Sequence, residues 1–208
     1  MKRNQRSPKS LAVLAQMAAA IAILQAAPIR LRNLSSLDVH QHLIARGKKL
    51  YLVIPPSEVK NREPIDFELP EETTGILSWY VKEHRPHLIK ETSDALFPGL
   101  NGKTKSSSTL AQQIPKTVKK YLGINFNIHL FRHAAGKMFL DVRPGQYEVV
   151  RRVLGHRSIT TTTNFYSGAE TRAAGKHFSN VIAERRQSRD IKISEALIKS
   201  RKPSGGQS

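Results

Sequence analysis

The sequence predicts a mainly α-helical α+β domain that contains a small antiparallel β-sheet. Apolar residues recur at helical spacing over much of the chain, for example across 11–27 and 109–121. Between these segments, Leu50–Ile54 has the composition of a strand, and 64–69 alternates apolar and polar residues like a returning strand. With 208 residues, the chain is long enough for one moderate domain with a hydrophobic core.

The first predicted helix has two possible interpretations. Residues 11–27 are largely apolar and follow a basic segment, which is also the pattern of a secretory signal peptide. The run is short for a membrane span, and Gln16 and Gln25 interrupt it. We therefore favour a buried helix that is broken at Pro28. Its predicted inward residues are Leu11, Leu14, Met17, Ala18, Ile21 and Leu24.

Further helices follow from apolar spacing and from their end signals. They are predicted near 70–84, 109–121, 146–154 and 169–186, with another that begins close to His129. Gly123 and Gly155 are expected to end two of them. Trp79, Tyr80 and Met138 are assigned to the apolar core, and Leu110, Ile114 and Val118 to the inward face of the 109–121 helix.

The charge balance restricts the class of partner. The chain has 34 Lys and Arg against 16 Asp and Glu, giving a net charge of +18 and a pI near 10.5. Such an excess favours nucleic acid or another anionic partner. The absence of cysteine excludes a disulfide framework and a thiolate zinc site. The spacing of the eight histidines does not suggest a metal site, so no metal or cofactor is expected.

Between residues 128 and 168 lies a cluster of groups suited to phosphodiester chemistry. His129 and Arg132 are three residues apart and share a helical face, while His156 follows the helix end at Gly155. Guanidinium and imidazole groups donate hydrogen bonds to phosphate oxygens. Tyr166 lies shortly after them and supplies a nucleophile. A free phenol has a pKa of about 10, so attack at neutral pH requires a neighbouring base or positive charge.

The ordered motifs H-L-F-R, L-G-H and a tyrosine after a threonine-rich segment resemble the C-terminal half of a tyrosine recombinase, or phage integrase, catalytic domain. The resemblance implies that family's catalytic-domain fold over most of the chain. It also implies a site-specific recombinase that cleaves and rejoins double-stranded DNA through a 3′-phosphotyrosyl intermediate, without ATP or metal. A tetramer on DNA, a cytoplasmic, nucleoid-associated location and no membrane association are expected with it.

The resemblance assigns roles to six residues. Arg30 matches the first catalytic arginine because Asn33, Leu34 and Leu37 follow in the family's register, although the family has an acidic residue at the position of Asn33. Arg30 and Arg132 would hold the scissile phosphate, with His156 as a further donor and His129 as acid/base partner or second donor. The predicted nucleophile is Tyr166. His133 and His177 are interpreted as bystanders.

Two predictions on basic residues leave alternatives open. Lys60, in the predicted hairpin turn, would protonate the leaving oxygen, and Arg62 would take this place if the register slips. Lys116, Lys119 and Lys120 form a stripe along one predicted helix. Either they face DNA or they are merely solvated.

The expected organisation is a basic segment at 1–10, a catalytic domain at 11–188 and a basic disordered tail at 189–208, without the family's N-terminal DNA-clamping domain. Such a chain could be a truncated, impaired DNA-binding remnant. A type IB topoisomerase-like activity is a second alternative, because its chemistry is similar. An RNA- or ribosome-associated basic module is a third, but it would leave the ordered motifs unexplained.

Overall fold

The computed structural model describes residues 7–89, 92–99, 103–125, 127–164, 166 and 179–184. Its elements are α1 (Pro8–Ala26), α2 (Leu31–Ser35), β1 (Leu43–Arg46), β2 (Lys49–Ile54), β3 (Ile65–Glu68), α3 (Glu71–Trp79), α4 (Ser107–Leu122), α5 (Ile128–Val142) and α6 (Tyr147–Leu154). Short 3-10 turns lie at Pro56–Glu58 and Arg85–Leu88, a π-helical turn at Tyr80–His84, and residues 159–164 and 179–184 are also helical. The predicted α+β class is confirmed.

Helix α1 is packed into the core, in agreement with the buried-helix interpretation. Ser7 caps its first turn, and Pro8 occupies a position where the missing N–H costs nothing. It is long and apolar enough to span a membrane by length and composition, yet half of the tested window is buried within the protein. The predicted inward face of α1 is only partly correct. Leu11 and Ala18 are exposed, and alanines on other sides of the helix are buried.

The sheet has three antiparallel strands in the order β1-β2-β3. Leu43 pairs with Leu52 across the first ladder, and Ile54 pairs with Ile65 across the second. The hairpin of β2 and β3 was predicted, but β1 was missed. A tight turn precedes β2, where Gly47 adopts a positive φ of 62°.

Two apolar clusters stabilise the fold. The larger joins α1 and α2 to the sheet, α3, α4 and the Leu96-Phe97 segment. The inward residues predicted for α4 are confirmed: Leu110, Ile114 and Val118 are buried. The smaller cluster joins α5 and α6 through Leu140, Val150, Leu154 and Tyr166. The second cluster therefore fixes the relation between the two helices that carry the histidine and arginine motifs.

Two residues assigned to the core are instead exposed. Trp79 is 49% exposed and its ring meets the edge of His84, because neighbouring Tyr80 takes the core position and the next residue on a helix points elsewhere. Met138 is 69% exposed, since the buried side of α5 passes through Gly136 and Leu140. Both predictions followed from residue type rather than from the direction of the helix face.

Two glycines end helices as predicted. Gly123 and Gly155 have φ values of 71° and 57°, the left-handed conformation that stops α4 and α6. The helix expected at 169–186 lies largely outside the described residues, as do the segments 1–6 and 185–208.

Candidate active site

Two arginines from distant parts of the chain meet at the C-terminal end of α6. Arg30 lies at the N-terminus of α2, after the break at Pro28, and its Nη2 donates to the Gly155 carbonyl at 2.7 Å. Arg132, on α5, donates from one Nη to the Pro28 carbonyl and from the other to the Leu154 carbonyl. Successive carbonyls at the end of α6 therefore hold the two guanidiniums.

The two cations are close enough to affect each other. Burial, followed by repulsion from Arg30, lowers the pKa of Arg132 to about 10, which leaves the group charged at neutral pH. Neither guanidinium forms an ion pair with a carboxylate in the part of the chain that the structure describes. Two adjacent cations without a carboxylate make a site that favours an oxyanion such as a phosphate group.

His156 is oriented at the same end of α6. Its Nδ1 lies 2.9 Å from the hydroxyl of Thr162, a fully buried residue, and Arg151 donates to its backbone carbonyl at 2.9 Å. Burial, then the charges of Arg132 and Arg30, lower the pKa of His156. With Nδ1 engaged, Nε2 is the ring nitrogen available to a ligand.

Tyr166 is buried in the smaller apolar cluster, with 3% of its surface exposed. Its ring lies against α5 at Gly136, one helical turn beyond Arg132. A Cβ atom at Gly136 would lie 2.3 Å from the Tyr166 hydroxyl oxygen and 2.7 Å from its Cζ. Burial raises the pKa of this phenol, and the charge of Arg132 opposes the rise. In this position the phenol is therefore held in its protonated form.

A groove of about 460 Å³ opens beside Arg30. Its lining includes Asn33, Val59 and Lys60, which brings Lys60 to the same groove as the first arginine. The alternative residue, Arg62, does not line it and has a positive φ of 57° in the turn. Asn33 is 4% exposed, and its Nδ2 has no hydrogen-bond partner among the described residues.

The turn that carries Lys60 also contacts α6 through residues that the sequence interpretation missed. Asn61 donates to Glu63 at 3.1 Å, and Glu63 lies 3.6 Å from Arg151. The Asn61 amide packs against Gly155, where a Cβ atom would lie 3.2 Å from its nitrogen. No local sequence signal marks these contacts, because they join a hairpin to a helix about ninety residues later.

The two histidines of α5 differ in their surroundings. His129 is exposed, and its side chain makes no hydrogen bond to the described residues. His133, interpreted as a bystander, is near the arginines: burial and then the charge of Arg132 lower its pKa, and it contributes to the lowered pKa of His156. The charge of His129 also lowers the pKa of His133, so the two imidazoles are neighbours.

The predicted lysine stripe lies on the surface of α4, outside the groove beside Arg30. Lys116, Lys119 and Lys120 are all exposed on α4. Within the described ranges, no group of three or more His, Asp or Glu side chains could hold a metal ion.

Comparisons with known proteins identify the family and the fold. A sequence model described as "Phage integrase family" matches residues 6–172. The fold is similar to the solved XerA recombinase, with a TM-score of 0.61 and 18% identity over 86% of this chain and 64% of that chain. It is also similar to the XerH site-specific recombinase bound to difH substrate, with a TM-score of 0.61 and 18% identity over 79% of this chain and 45% of that chain.

Two further matches extend the comparison. The Tn1549 transposon integrase, solved with transposon right end DNA, has a TM-score of 0.59 and 16% identity, covering 86% of this chain and 68% of that one. The human mitochondrial lipoyl amidotransferase LIPT1 is 32% identical in an alignment of 103 positions that covers 45% of this chain and 27% of that protein. The chain thus spans less than half the length of XerH and about a quarter of LIPT1. The structural matches show the tyrosine recombinase catalytic-domain fold.

Proposed function

The chain belongs to the phage integrase family, and from that premise we propose that it is a tyrosine-type site-specific DNA recombinase that acts through a 3′-phosphotyrosyl intermediate. One observation carries the proposal: Arg30 and Arg132, 102 residues apart, are held side by side at the end of α6. His156 lies next to them, and Tyr166 packs against the turn of α5 that follows Arg132. This arrangement suits a phosphodiester with a nucleophile beside it.

Each residue would have a distinct part in strand cleavage. Arg30 and Arg132 would bind the non-bridging oxygens of the scissile phosphate, and His156 would donate from Nε2. The Tyr166 oxygen would attack phosphorus while the bond to the 5′ oxygen breaks, and Lys60 would protonate that leaving oxygen. His129 would accept the phenolic proton or add a donor. In rejoining, the 5′ hydroxyl attacks the tyrosyl phosphodiester, so neither metal nor ATP is consumed.

The buried position of Tyr166 adds a requirement to this mechanism. A phenol whose pKa is raised by burial is a poor nucleophile. Cleavage therefore requires the segment that carries Tyr166 to leave its place on Gly136 and to expose the hydroxyl beside the arginines. The charge of Arg132 would then lower the pKa of the phenol, with less desolvation opposing it.

The proposed partner is double-stranded DNA, supported by the net charge of +18 and by relatives whose solved structures contain DNA. The proposed catalytic domain comprises residues 11–188, with recombination by a tetramer in the cytoplasm, at the nucleoid. The exposed Lys116, Lys119 and Lys120 are proposed to meet the DNA backbone.

A nicked suicide duplex carrying a target site tests the mechanism. We expect a covalent protein–DNA adduct that is stable to denaturant, and its complete loss in Tyr166→Phe. Tyr147→Phe is the matched control, because Tyr147 packs against the same apolar cluster and should leave the adduct unchanged.

The other outcomes are equally informative. Duplex binding without an adduct under any condition would contradict the enzymatic proposal and favour a DNA-binding remnant. Relaxation of supercoiled plasmid without a specific site would favour a topoisomerase-like activity instead. An adduct that persists in Tyr166→Phe would exclude Tyr166 as the nucleophile.

A further inference from the structure

A cavity of about 460 Å³ lies at the N-terminal end of α1 and α4, away from the arginines at the other end of α1. It is lined by Lys9, Val13, Gln16, His87, Leu88, Pro98, Gly99, Lys103, Thr104, Lys105, Ser106, Thr109 and Gln113. Three of these residues are lysines, one is a histidine and none is acidic. Its volume is within the range of small-molecule pockets.

Lys105 is the unusual member of this lining. It is only 8% exposed, whereas lysine is almost never buried without a paired charge. Its ammonium donates to the Gln16 side-chain carbonyl and, at 2.8 Å, to that of Gln113. Among the described residues, no acceptor takes its third N–H and no carboxylate pairs with it. The cation is therefore solvated by two neutral amides and remains uncompensated.

The amide of Gln16 is fixed in the orientation that serves this lysine. Gln16 is fully buried, and its Nε2 donates to the Pro98 carbonyl at 3.0 Å and to the Tyr80 hydroxyl at 3.3 Å. Tyr80 in turn donates to the Leu96 carbonyl at 2.8 Å. Because its nitrogen is occupied, Gln16 can present only its oxygen to Lys105. The chain thus uses a buried polar network to hold one cation in the wall of a cavity, at the cost of desolvating it.

We propose that this cavity is a second anion site, in which Lys105 binds a tetrahedral oxyanion of the phosphate class. Lys9, Lys103 and His87 would attract the anion at the rim, and the hydroxyls of Ser106 and Thr109 would add donors. The ligand is either a free phosphate-bearing molecule or a backbone phosphate of DNA, which share this chemistry. The site is separate from the one that holds the scissile phosphate.

Burial lowers the pKa of Lys105 to about 8, which gives the site a pH signature. Between pH 6 and 7 the ammonium is charged and should bind the anion. Above pH 8 it loses its proton unless the ligand is present, so affinity should fall as the pH rises to 9. The other ionisable side chains that line the cavity are those of His87, Lys9 and Lys103, and all three are exposed.

The test is a calorimetric titration of the whole chain with sulfate, whose charge does not change between pH 6 and 9, followed by inorganic phosphate. We expect saturable binding at pH 6.5, weaker at pH 9. Binding should fall about 10- to 100-fold in Lys105→Met, as for loss of a charged hydrogen bond. Lys48→Met is the matched control, because Lys48 is exposed in the β1–β2 turn and does not line the cavity.

A second variant guards against misfolding of the first. Lys103→Met changes an exposed rim residue and should weaken sulfate binding several-fold while circular dichroism stays that of the wild type. Sulfate binding that is equal in the wild type, Lys105→Met and Lys103→Met would overturn the proposal, as would the absence of saturable binding at pH 6.5.

Duplex DNA separates the two sources of the phosphate. If the site takes a DNA phosphate, Lys105→Met lowers the salt slope of duplex binding by about 1, and duplex displaces sulfate. If it takes a free anion, sulfate still binds to the DNA complex. These readouts do not involve Tyr166, so failure of this proposal and failure of the adduct assay are distinguishable.

Discussion

Arg30 and Arg132 are like charges that repel each other, and the protein holds them together with backbone oxygens rather than with carboxylates. A carbonyl orients a guanidinium without cancelling its charge, whereas a carboxylate would compete with the phosphate. The negative end of the α6 dipole adds to the attraction, because both acceptors lie at its C-terminus. The site is therefore positioned before any ligand arrives, with its charge still available.

This arrangement makes a prediction that separates neighbouring arginines. Arg30→Ala should lower the rate of adduct formation on the suicide duplex by about 10² to 10³, as for removal of one transition-state donor. Arg32→Ala should change it only a few-fold, because the exposed Arg32 side chain donates no hydrogen bond to α6. Single-turnover kinetics with saturating protein measure the two rates. A reduction in Arg32→Ala as large as that in Arg30→Ala would show that the register is wrong.

Helix α5 combines two functions on successive turns. Arg132 reaches the end of α6, and four residues later Gly136 leaves room for the Tyr166 ring. Any side chain at Gly136 would meet the phenol, so the absence of a Cβ allows the hydroxyl end of the ring to approach the helix backbone. Glycine is otherwise unfavourable within a helix, by about 1 kcal/mol relative to alanine. We infer that docking of the tyrosine offsets this cost.

A double-mutant cycle tests that inference. Gly136→Ala should lower the free energy of unfolding by about 1–3 kcal/mol, because the new Cβ overlaps the phenol. In a Tyr166→Ala background the same change should be far less destabilising, because helix propensity favours alanine by up to about 1 kcal/mol and the remaining close neighbour is a Val150 methyl at 3.1 Å. Urea unfolding followed by circular dichroism gives all four values. Equal effects in both backgrounds would mean that the ring does not occupy this place in solution.

For the whole molecule, the net charge of +18 predicts DNA binding that depends strongly on salt. If about 6 to 10 phosphates are bound, affinity should fall by about 10³ to 10⁵ between 50 and 200 mM salt. Changing Lys116, Lys119 and Lys120 together to Gln should reduce the salt slope by as much as about 3, one unit for each phosphate that a lysine no longer neutralises. Fluorescence anisotropy on a labelled duplex measures the slope.

The control for the lysine stripe removes the same charge elsewhere. Lys48, Lys82 and Lys137 are exposed and lie outside α4, so their joint change to Gln should alter the affinity slightly and the slope little. The stripe would be merely solvated if both triple variants changed the slope equally.

Local rules predicted the helices and their ends, but not what meets in space. Apolar spacing placed Leu110, Ile114 and Val118 inward, and glycines marked the ends of α4 and α6, because these features depend on a few neighbouring residues. Arg30 was found through the register of residues after Pro28. The exposure of Trp79 was missed, since it depends on how helices pack against each other.

The second cavity shows the same limit more clearly. Lys105 and Gln16 are 89 residues apart, and in the sequence each resembles an ordinary surface residue or an interruption of an apolar run. Only the fold brings the amide and the ammonium together. The residues with a recognisable family pattern could therefore be proposed as site residues from the sequence, and those without one could not be.

Because the carbonyls of Leu154 and Gly155, at the C-terminal end of α6, accept from both guanidiniums, the candidate site depends on an eight-residue helix. Terminal turns of short helices open far more readily than a protein unfolds. Each such opening would release Arg30 and would leave Arg132 with its hydrogen bond to the Pro28 carbonyl. Heating should consequently separate the two guanidiniums, reversibly, below the temperature at which the core unfolds.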